Sequence, residues 1–107
     1  MIYTKLLTKE LLTKLPALYA TENDTDSMVW CKFFYPDVSW TWYVIEYDGQ
    51  DTFYGLVDGF ELELGYFSLS ELQSNRGKLG CFIERDLYFK PCKLSELTKQ
   101  LEQKRQY

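Results

Sequence analysis

Three runs of alternating side chains, separated by two Asp-Gly pairs, most constrain how this chain can fold. Trp40–Tyr47 ends at Asp48-Gly49, Thr52–Val57 ends at Asp58-Gly59, and Phe60–Phe67 follows at once. Such alternation is typical of β-strands, and Asp58-Gly59 is the kind of pair favoured in a two-residue type I′ hairpin. Because each connection is too short to hold a crossover helix, the pattern predicts an antiparallel meander.

The alternation also predicts which side chains of the meander are buried. Trp40 and Trp42 fall on one face of the first strand, and Tyr47 falls on the other. Aromatic side chains at strand spacing are more often core than a stacking platform for sugars or bases, so both tryptophans are interpreted as core. Glu61 and Glu63 share one face of the last strand. The pattern therefore predicts a sheet with one buried and one partly solvated face.

Helix signals flank the meander on both sides. Thr8 is a good N-cap for a short first helix, and Met28–Tyr35 has the composition of a further strand. The Ser68-Leu69-Ser70-Glu71 segment is a capping box, and leucines recur at helical spacing in about Leu94–Lys104. We predict an α+β fold with about four to five strands and short helices at the N-terminus, after the meander and at the C-terminus. Residues 1–107 are expected to form a single compact domain.

The charge of the chain is concentrated in its middle. The formal net charge is −4, but residues 21–75 carry eleven acidic residues against Lys32 alone, a local net charge of −10. A nucleic-acid-binding protein usually shows a basic stripe, so direct binding of DNA or RNA is not expected. A long acidic segment favours a basic protein partner, although such a run is often only a solvated surface.

Several kinds of chemistry are disfavoured by composition. The chain has no histidine, which removes Ser-His and Cys-His triads and histidine-ligated zinc. Its three cysteines form no Cys-x-x-Cys pair, and its six glycines form no phosphate-binding loop. We therefore expect reduced thiols, no metal, no cofactor and no enzymatic activity. No signal peptide and no apolar run of about 18 residues is present, which favours a cytoplasmic protein without membrane contact.

Five acidic side chains are the candidate partner-binding residues, and they lie at the turns and on the last strand of the meander: Asp48, Asp51, Asp58, Glu61 and Glu63. Clustered carboxylates can also hold Mg²⁺ or flank a glycosidic bond. However, aspartate at Asp-Gly turns is common for backbone reasons, and alternating glutamates are ordinary on a solvated strand face. We expect an acidic patch for a basic partner rather than a catalytic site.

Glu84-Arg85-Asp86 is the densest charged triplet. Arg85 could bind a phosphate or carboxylate group, or it could form a structural ion pair with an acid of the middle segment. The structural pair is the favoured interpretation, and the binding role stays open. Exposed tyrosines, of which the chain has nine in all, are the expected source of a binding hot spot.

Several segments resemble a known family in order and spacing. They are Lys14-Leu15-Pro16, Trp40-Thr41-Trp42-Tyr43, Gly55–Glu61, Glu63–Leu69 and Glu84–Phe89. The family consists of small bacterial proteins of unknown function, found largely on plasmids and other mobile elements. The resemblance implies no catalytic residues, and it implies the context of a counter-defence protein.

Three hypotheses follow for the function. The leading one is a non-enzymatic anti-CRISPR protein that binds a Cas9-type effector and blocks guide RNA or DNA engagement through an acidic surface. The second is an accessory protein of plasmid maintenance or transfer that binds an element-encoded enzyme. The third and least favoured is a carboxylate-metal hydrolase.

Overall fold

The computed structural model describes residues 6–106, so residues 1–5 and 107 of the expected 1–107 domain lie outside the described part. Three helices and seven strands occur within this range. In chain order they are α1 (Lys9–Lys14), β1 (Met28–Val29), β2 (Cys31–Phe34), β3 (Thr41–Tyr47), β4 (Thr52–Asp58), β5 (Leu62–Ser68), α2 (Leu69–Ser74), β6 (Glu84–Arg85), β7 (Cys92–Lys93) and α3 (Leu94–Arg105).

An antiparallel five-stranded sheet forms the centre of the fold. Its strand order is β5-β4-β3-β2-β6, so four strands follow one another as a meander and β6 is added beside β2. A separate two-stranded ladder joins β1 to β7. The α+β class, the meander and the three short helices are confirmed. Within residues 6–106, none of the helices has the length and apolarity that crossing a lipid bilayer requires.

Local signals placed the helix starts correctly. The Thr8 hydroxyl accepts a hydrogen bond from the Leu11 N–H at 3.1 Å, and the Ser68 hydroxyl accepts one from the Glu71 N–H at 3.3 Å. The strand expected over Met28–Tyr35 is instead divided at Trp30 into β1 and β2, which join different sheets.

Both faces of the sheet carry a hydrophobic cluster. One cluster contains Phe33 and Phe53 and is covered by leucines of α1 and α2. The other contains Tyr43 and Ile45 and is covered by Leu97 and other leucines of α3. The expectation of one buried and one partly solvated face is therefore wrong for β3, where the helices cover both sides.

A β-bulge in β3 changes the direction of its last side chains. The pairing with β4 shifts between Val44 and Glu46. An extra residue in one strand breaks the two-residue alternation. Tyr47 therefore packs with Val44 in the first cluster, and not on the face of Tyr43 and Ile45 as the alternation predicted.

The connection between β4 and β5 differs from the predicted hairpin. Asp58 pairs with Leu62, which leaves three residues in the turn. Among the described glycines, only Gly49 and Gly80 have a positive φ. A type I′ turn at Asp58-Gly59 needs positive φ at both residues, so that prediction is wrong.

Glycine is needed at position 59 because the ring of Trp40 leaves no room for a side chain there. A Cβ atom on Gly59 would lie 2.3 Å from the indole of Trp40. Trp40 packs edge-to-face on Phe60, with ring centroids 4.8 Å apart, and belongs to neither cluster. The interpretation of Trp40 as core is therefore wrong, whereas Trp42 is half-buried against the first cluster.

Candidate functional site

Asp48 organises the turn between β3 and β4. Its Oδ1 atom accepts hydrogen bonds from the N–H groups of Gln50, Asp51 and Thr52 at 2.8, 2.9 and 3.0 Å. These bonds, led by that from Gln50, favour the ionised carboxylate and hold the pKa of Asp48 below its ordinary value. The side chain of this predicted site residue is thus engaged with its own turn.

Asp51 connects the same turn to the start of α2. It accepts hydrogen bonds from the Ser68 hydroxyl at 2.6 Å and from the Ser70 N–H at 2.7 Å. The Ser68 hydroxyl is the first of several donors that lower the pKa of Asp51. Asp48 and Asp51 lie together at this end of the sheet, and both stabilise local structure.

Asp58 lies at the opposite end of β4, about 20 Å away along a seven-residue strand. It forms an ion pair with Arg105 of α3. The same guanidinium donates to the carbonyl groups of Gly59 and Phe60 at 2.7 and 2.8 Å. The structure therefore brings Asp58 close to the β4–β5 turn and away from Asp48 and Asp51.

Glu61 and Glu63 are the two predicted residues whose carboxylates remain in solvent. Both side chains are exposed, one in the β4–β5 turn and one on β5. Within residues 6–106, neither carboxylate has a hydrogen-bond or ion-pair partner. The five candidate residues thus occupy two ends of the sheet, and their role in partner binding stays a prediction.

A buried carboxylate that the sequence reasoning missed docks the loop between α1 and β1 on the sheet. Glu46 is 3% exposed and accepts hydrogen bonds from the N–H groups of Tyr19 and Thr21 at 2.8 and 2.9 Å. The Thr21 hydroxyl donates to the same carboxylate. The only available signal was an acidic residue within the otherwise apolar end of a predicted strand.

The docked loop presents Tyr19 in an unusual backbone conformation. The Tyr47 N–H donates to the Pro16 carbonyl at 2.9 Å, and this bond adds to the contacts of Glu46. Tyr19 has φ of +70°, in the left-handed region that non-glycine residues rarely occupy. Such strain persists only where surrounding contacts hold it, and here Glu46 supplies them. The result is a tyrosine ring placed over β5.

A groove of about 410 Å³ lies between this loop and the sheet. Its aromatic wall is formed by Tyr19, Tyr54 and Tyr66, with the ring of Tyr66 centred 6.4 Å from that of Tyr19 and 5.1 Å from that of Tyr54. Four acidic residues also line it, and among the described residues no lysine or arginine does: Glu22, Asp24, Asp26 and Glu46. We name this site the tyrosine groove.

The electrostatics of the tyrosine groove disfavour negative charge. The pKa of the Tyr66 hydroxyl is raised, first by partial loss of solvent around the hydroxyl and then by the neighbouring Tyr19 and the Glu46 carboxylate. Asp26 is bound to α3, because it accepts hydrogen bonds from the Ser95 N–H and hydroxyl at 3.0 and 2.6 Å. Glu22 and Asp24 are exposed at its rim.

The ion pair at the Glu84-Arg85-Asp86 triplet involves Asp86. Its carboxylate lies 3.5 Å from the Nζ atom of Lys32, the one base of the acidic segment. Glu84 and Arg85 form β6 and pair with β2. Asp86 therefore makes a structural ion pair with the middle segment, and the ion pair expected of Arg85 stays a prediction.

The surroundings of all three cysteines disfavour the thiolate form. All three are free thiols, and burial raises the pKa of Cys31 to about 12. Burial likewise raises the pKa of Cys81 and Cys92. Within residues 6–106, no three cysteine, aspartate or glutamate side chains are grouped so that they could hold a metal ion.

Comparison with known proteins gives one match. The family model described as "Protein of unknown function (DUF2958)" matches residues 4–106. The chain belongs to this family. The resemblance to an uncharacterised family is therefore confirmed. No curated protein and no solved structure matches the chain significantly.

In this DUF2958 protein, the site is therefore interpreted from its own geometry. An aromatic groove with acidic residues at its base and rim binds cations by cation–π and ionic contacts. It lies next to an edge strand, and edge strands bind extended peptides. The shape and charge of this combination are complementary to a positively charged group.

Proposed function

We propose that this protein is a non-enzymatic counter-defence inhibitor that acts in the cytoplasm by binding a basic protein. In its most concrete form it is an anti-CRISPR protein that binds a Cas9-type effector and blocks engagement of guide RNA or DNA. The observation that supports the proposal is the tyrosine groove, in which three tyrosines and four acidic residues meet with no basic residue among the described lining.

The physical argument concerns the complementary charge of the partner. A Cas9-type effector holds its guide heteroduplex in a positively charged channel. Acidic residues on the inhibitor would accelerate encounter with such a channel, and tyrosine anchors would slow dissociation. Tyr19 and Tyr66 are each more than half exposed, which is the state an anchor needs before binding.

The exposed carboxylates define where the charge is available. Glu61 and Glu63 flank the β5 edge, and Glu22 and Asp24 lie at the rim of the tyrosine groove. Asp48, Asp51 and Asp58 still contribute to the field of the protein, although their carboxylates are engaged in local contacts. In this proposal the first group makes direct contacts and the second acts at longer range.

A cleavage assay tests the proposal directly. Purified Cas9-type effectors of several types are mixed with guide RNA, target DNA and increasing amounts of this protein, which is added before or after guide loading. We expect stoichiometric inhibition that weakens as salt concentration rises. Circular dichroism would first confirm that the added protein is folded. Absence of inhibition across all the effector types would then overturn the proposal.

A matched pair of variants localises the effect. Glu61→Gln combined with Glu63→Gln should weaken inhibition, whereas Glu10→Gln, which changes charge on α1 beside β2 and β6 at the opposite edge of the sheet, should leave it unchanged. Equal inhibition by all three proteins would contradict a role for the β5 edge. Co-purification with an element-encoded enzyme, and not with an effector, would instead favour the accessory-protein hypothesis.

A further inference from the structure

The tyrosine groove and the outer edge of β5 share residues. Leu64 and Tyr66 line the groove, and both belong to the edge strand of the five-stranded sheet. The Leu69 N–H donates to the Asp51 carbonyl at 2.8 Å, and the β4–β5 register continues from there without a shift. Because hydrogen-bonded and non-hydrogen-bonded pairs alternate in an antiparallel ladder, Leu62, Leu64 and Tyr66 direct their N–H and C=O groups away from β4.

The β5 edge lacks most of the features that usually protect an edge strand, and Glu63 is its one charged side chain. The strand is seven residues long, contains no proline or lysine, and pairs with β4 without a bulge. The opposite edge, β6, has two residues. Natural sheets shorten, twist or charge their edges to prevent pairing with other chains. A long, regular and uncovered edge within the described chain is therefore suited to strand addition.

The groove beside the edge selects the charge of the added strand. On a strand paired with β5, every second side chain would point to the face that carries Leu64 and Tyr66. A lysine or arginine there would meet the faces of Tyr19, Tyr54 and Tyr66 and the acids at the base and rim of the groove. An acidic side chain at the same position would be repelled.

We propose that β5 binds an extended basic segment of a partner protein as a sixth strand of the sheet, with a lysine or arginine side chain in the tyrosine groove. This inference rests on the proposed function only in requiring a protein partner with a basic surface. A second copy of this chain fits less well, because pairing through β5 would bring two acidic grooves together.

The first test uses a synthetic peptide of about eight residues that alternates arginine and threonine. Titration into ¹⁵N-labelled protein should shift the amide signals of β5 and slow hydrogen exchange at Leu64 and Tyr66. A peptide with glutamine in place of arginine should bind about tenfold more weakly. Binding of the arginine peptide without slower exchange at Leu64 and Tyr66 would overturn strand addition.

Two variants at one position separate the backbone from the side chain. Leu64→Pro removes an outward N–H group and leaves the ladder to β4 intact, as edge positions allow. Leu64→Ala removes the same half-exposed side chain and keeps the N–H group. We expect Leu64→Pro to weaken peptide binding about tenfold more than Leu64→Ala does. Equal affinity of the two variants would contradict the proposal.

A third variant tests the groove without disturbing the fold. Tyr19→Gly removes the ring, retains the N–H group that binds Glu46, and fits φ of +70° without steric strain. This variant should bind the arginine peptide more weakly than the wild-type protein does, and it should bind the glutamine peptide with unchanged affinity. Equal loss for both peptides would show that the groove does not select the cation.

The outcomes distinguish this inference from the proposed function. Peptide binding without effector inhibition would support the strand-addition site and overturn the anti-CRISPR role. If the Leu64→Pro and Tyr19→Gly variants still inhibit the effector, the anti-CRISPR role would be supported and the strand-addition site would be contradicted. A dimer that Leu64→Pro converts to a monomer, measured by sedimentation, would assign the edge to a second copy and contradict the basic segment.

Discussion

The β3–β4 turn and the β5 edge are both acidic, but they use their carboxylates differently. In the turn, Asp48 and Asp51 accept hydrogen bonds from backbone N–H groups and serine hydroxyls. At the edge, Glu61 and Glu63 are exposed and have no such partner among the described residues. The comparison shows that the number of acids overstates the number of carboxylates that are free to contact a partner, because some of them stabilise the fold.

The largest effect on stability is expected from substitution of Glu46, the most buried acidic residue. Glu46→Ala leaves two backbone N–H groups and one hydroxyl without their acceptor. The free energy of unfolding should fall by about 3 kcal/mol, as measured by urea denaturation. Glu61→Ala is the exposed control and should change it by less than about 0.5 kcal/mol. Similar values for the two variants would remove the distinction between the two kinds of acid.

Acid titration should separate the turn from the edge. The pKa values of Asp48 and Asp51 lie below the ordinary 3.8 in the folded protein. Their stabilising contribution is therefore complete above pH 3.8 and is lost as the pH falls through the lower folded values. Thermal melting between about pH 5 and pH 2 should show this loss.

Variants test the assignment of that acid-sensitive stability. Asp48→Asn combined with Asp51→Asn should flatten the dependence of the melting temperature on pH in this range. Glu61→Gln combined with Glu63→Gln carries the same change in charge and should retain the slope. If the melting temperature instead depends less on pH in the Glu61/Glu63 variant and not in the Asp48/Asp51 variant, the acid-sensitive stability would belong to the β5 edge and not to the turn.

Asp58 should show an intermediate effect. Its ion pair with Arg105 is partly exposed, with side-chain exposures of 23% and 34%. Asp58→Asn should therefore lower the free energy of unfolding by about 0.5–1 kcal/mol, and a double-mutant cycle with Arg105→Gln should measure the coupling. Zero coupling energy would show that the ion pair of Asp58 contributes nothing to stability, as expected for the exposed acidic residues.

The smallest effect on stability is expected at the β5 edge. Glu61→Gln combined with Glu63→Gln should change the free energy of unfolding by less than about 0.5 kcal/mol, because neither carboxylate has a partner in the described chain. The same variant should associate more slowly with a basic partner, measured by stopped-flow fluorescence at low salt. A loss of stability above about 1 kcal/mol would show that these acids also stabilise the fold.

Much of the fold was predictable because its signals are local. Thr8 and Ser68 act as N-caps where predicted, and the meander follows from three alternating runs joined by short turns. The faces of the strands were less predictable. The bulge after Val44 turns Tyr47 to the other face, and Gly59 is needed for contact with the ring of Trp40. Neither feature has a signature in the spacing of nearby residues.

The candidate site shows the same limit. Glu61 and Glu63 were identified from alternation alone, and the structure shows them exposed. Glu46 and Tyr19 were missed, because a buried acid and a left-handed tyrosine are recognisable only through their contact. That contact joins residues 27 positions apart in the chain.

By itself the sequence determined the strands, the helix starts and the acidic middle of this protein, because alternation, capping and charge act over a few residues. Only the tertiary structure decided which carboxylates are engaged, which edge of the sheet is open and where three tyrosines meet. The tyrosine groove needs the loop, β4 and β5 together. The physical reason is that hydrogen bonds and ring contacts depend on distance in space, and distance along the chain does not specify it.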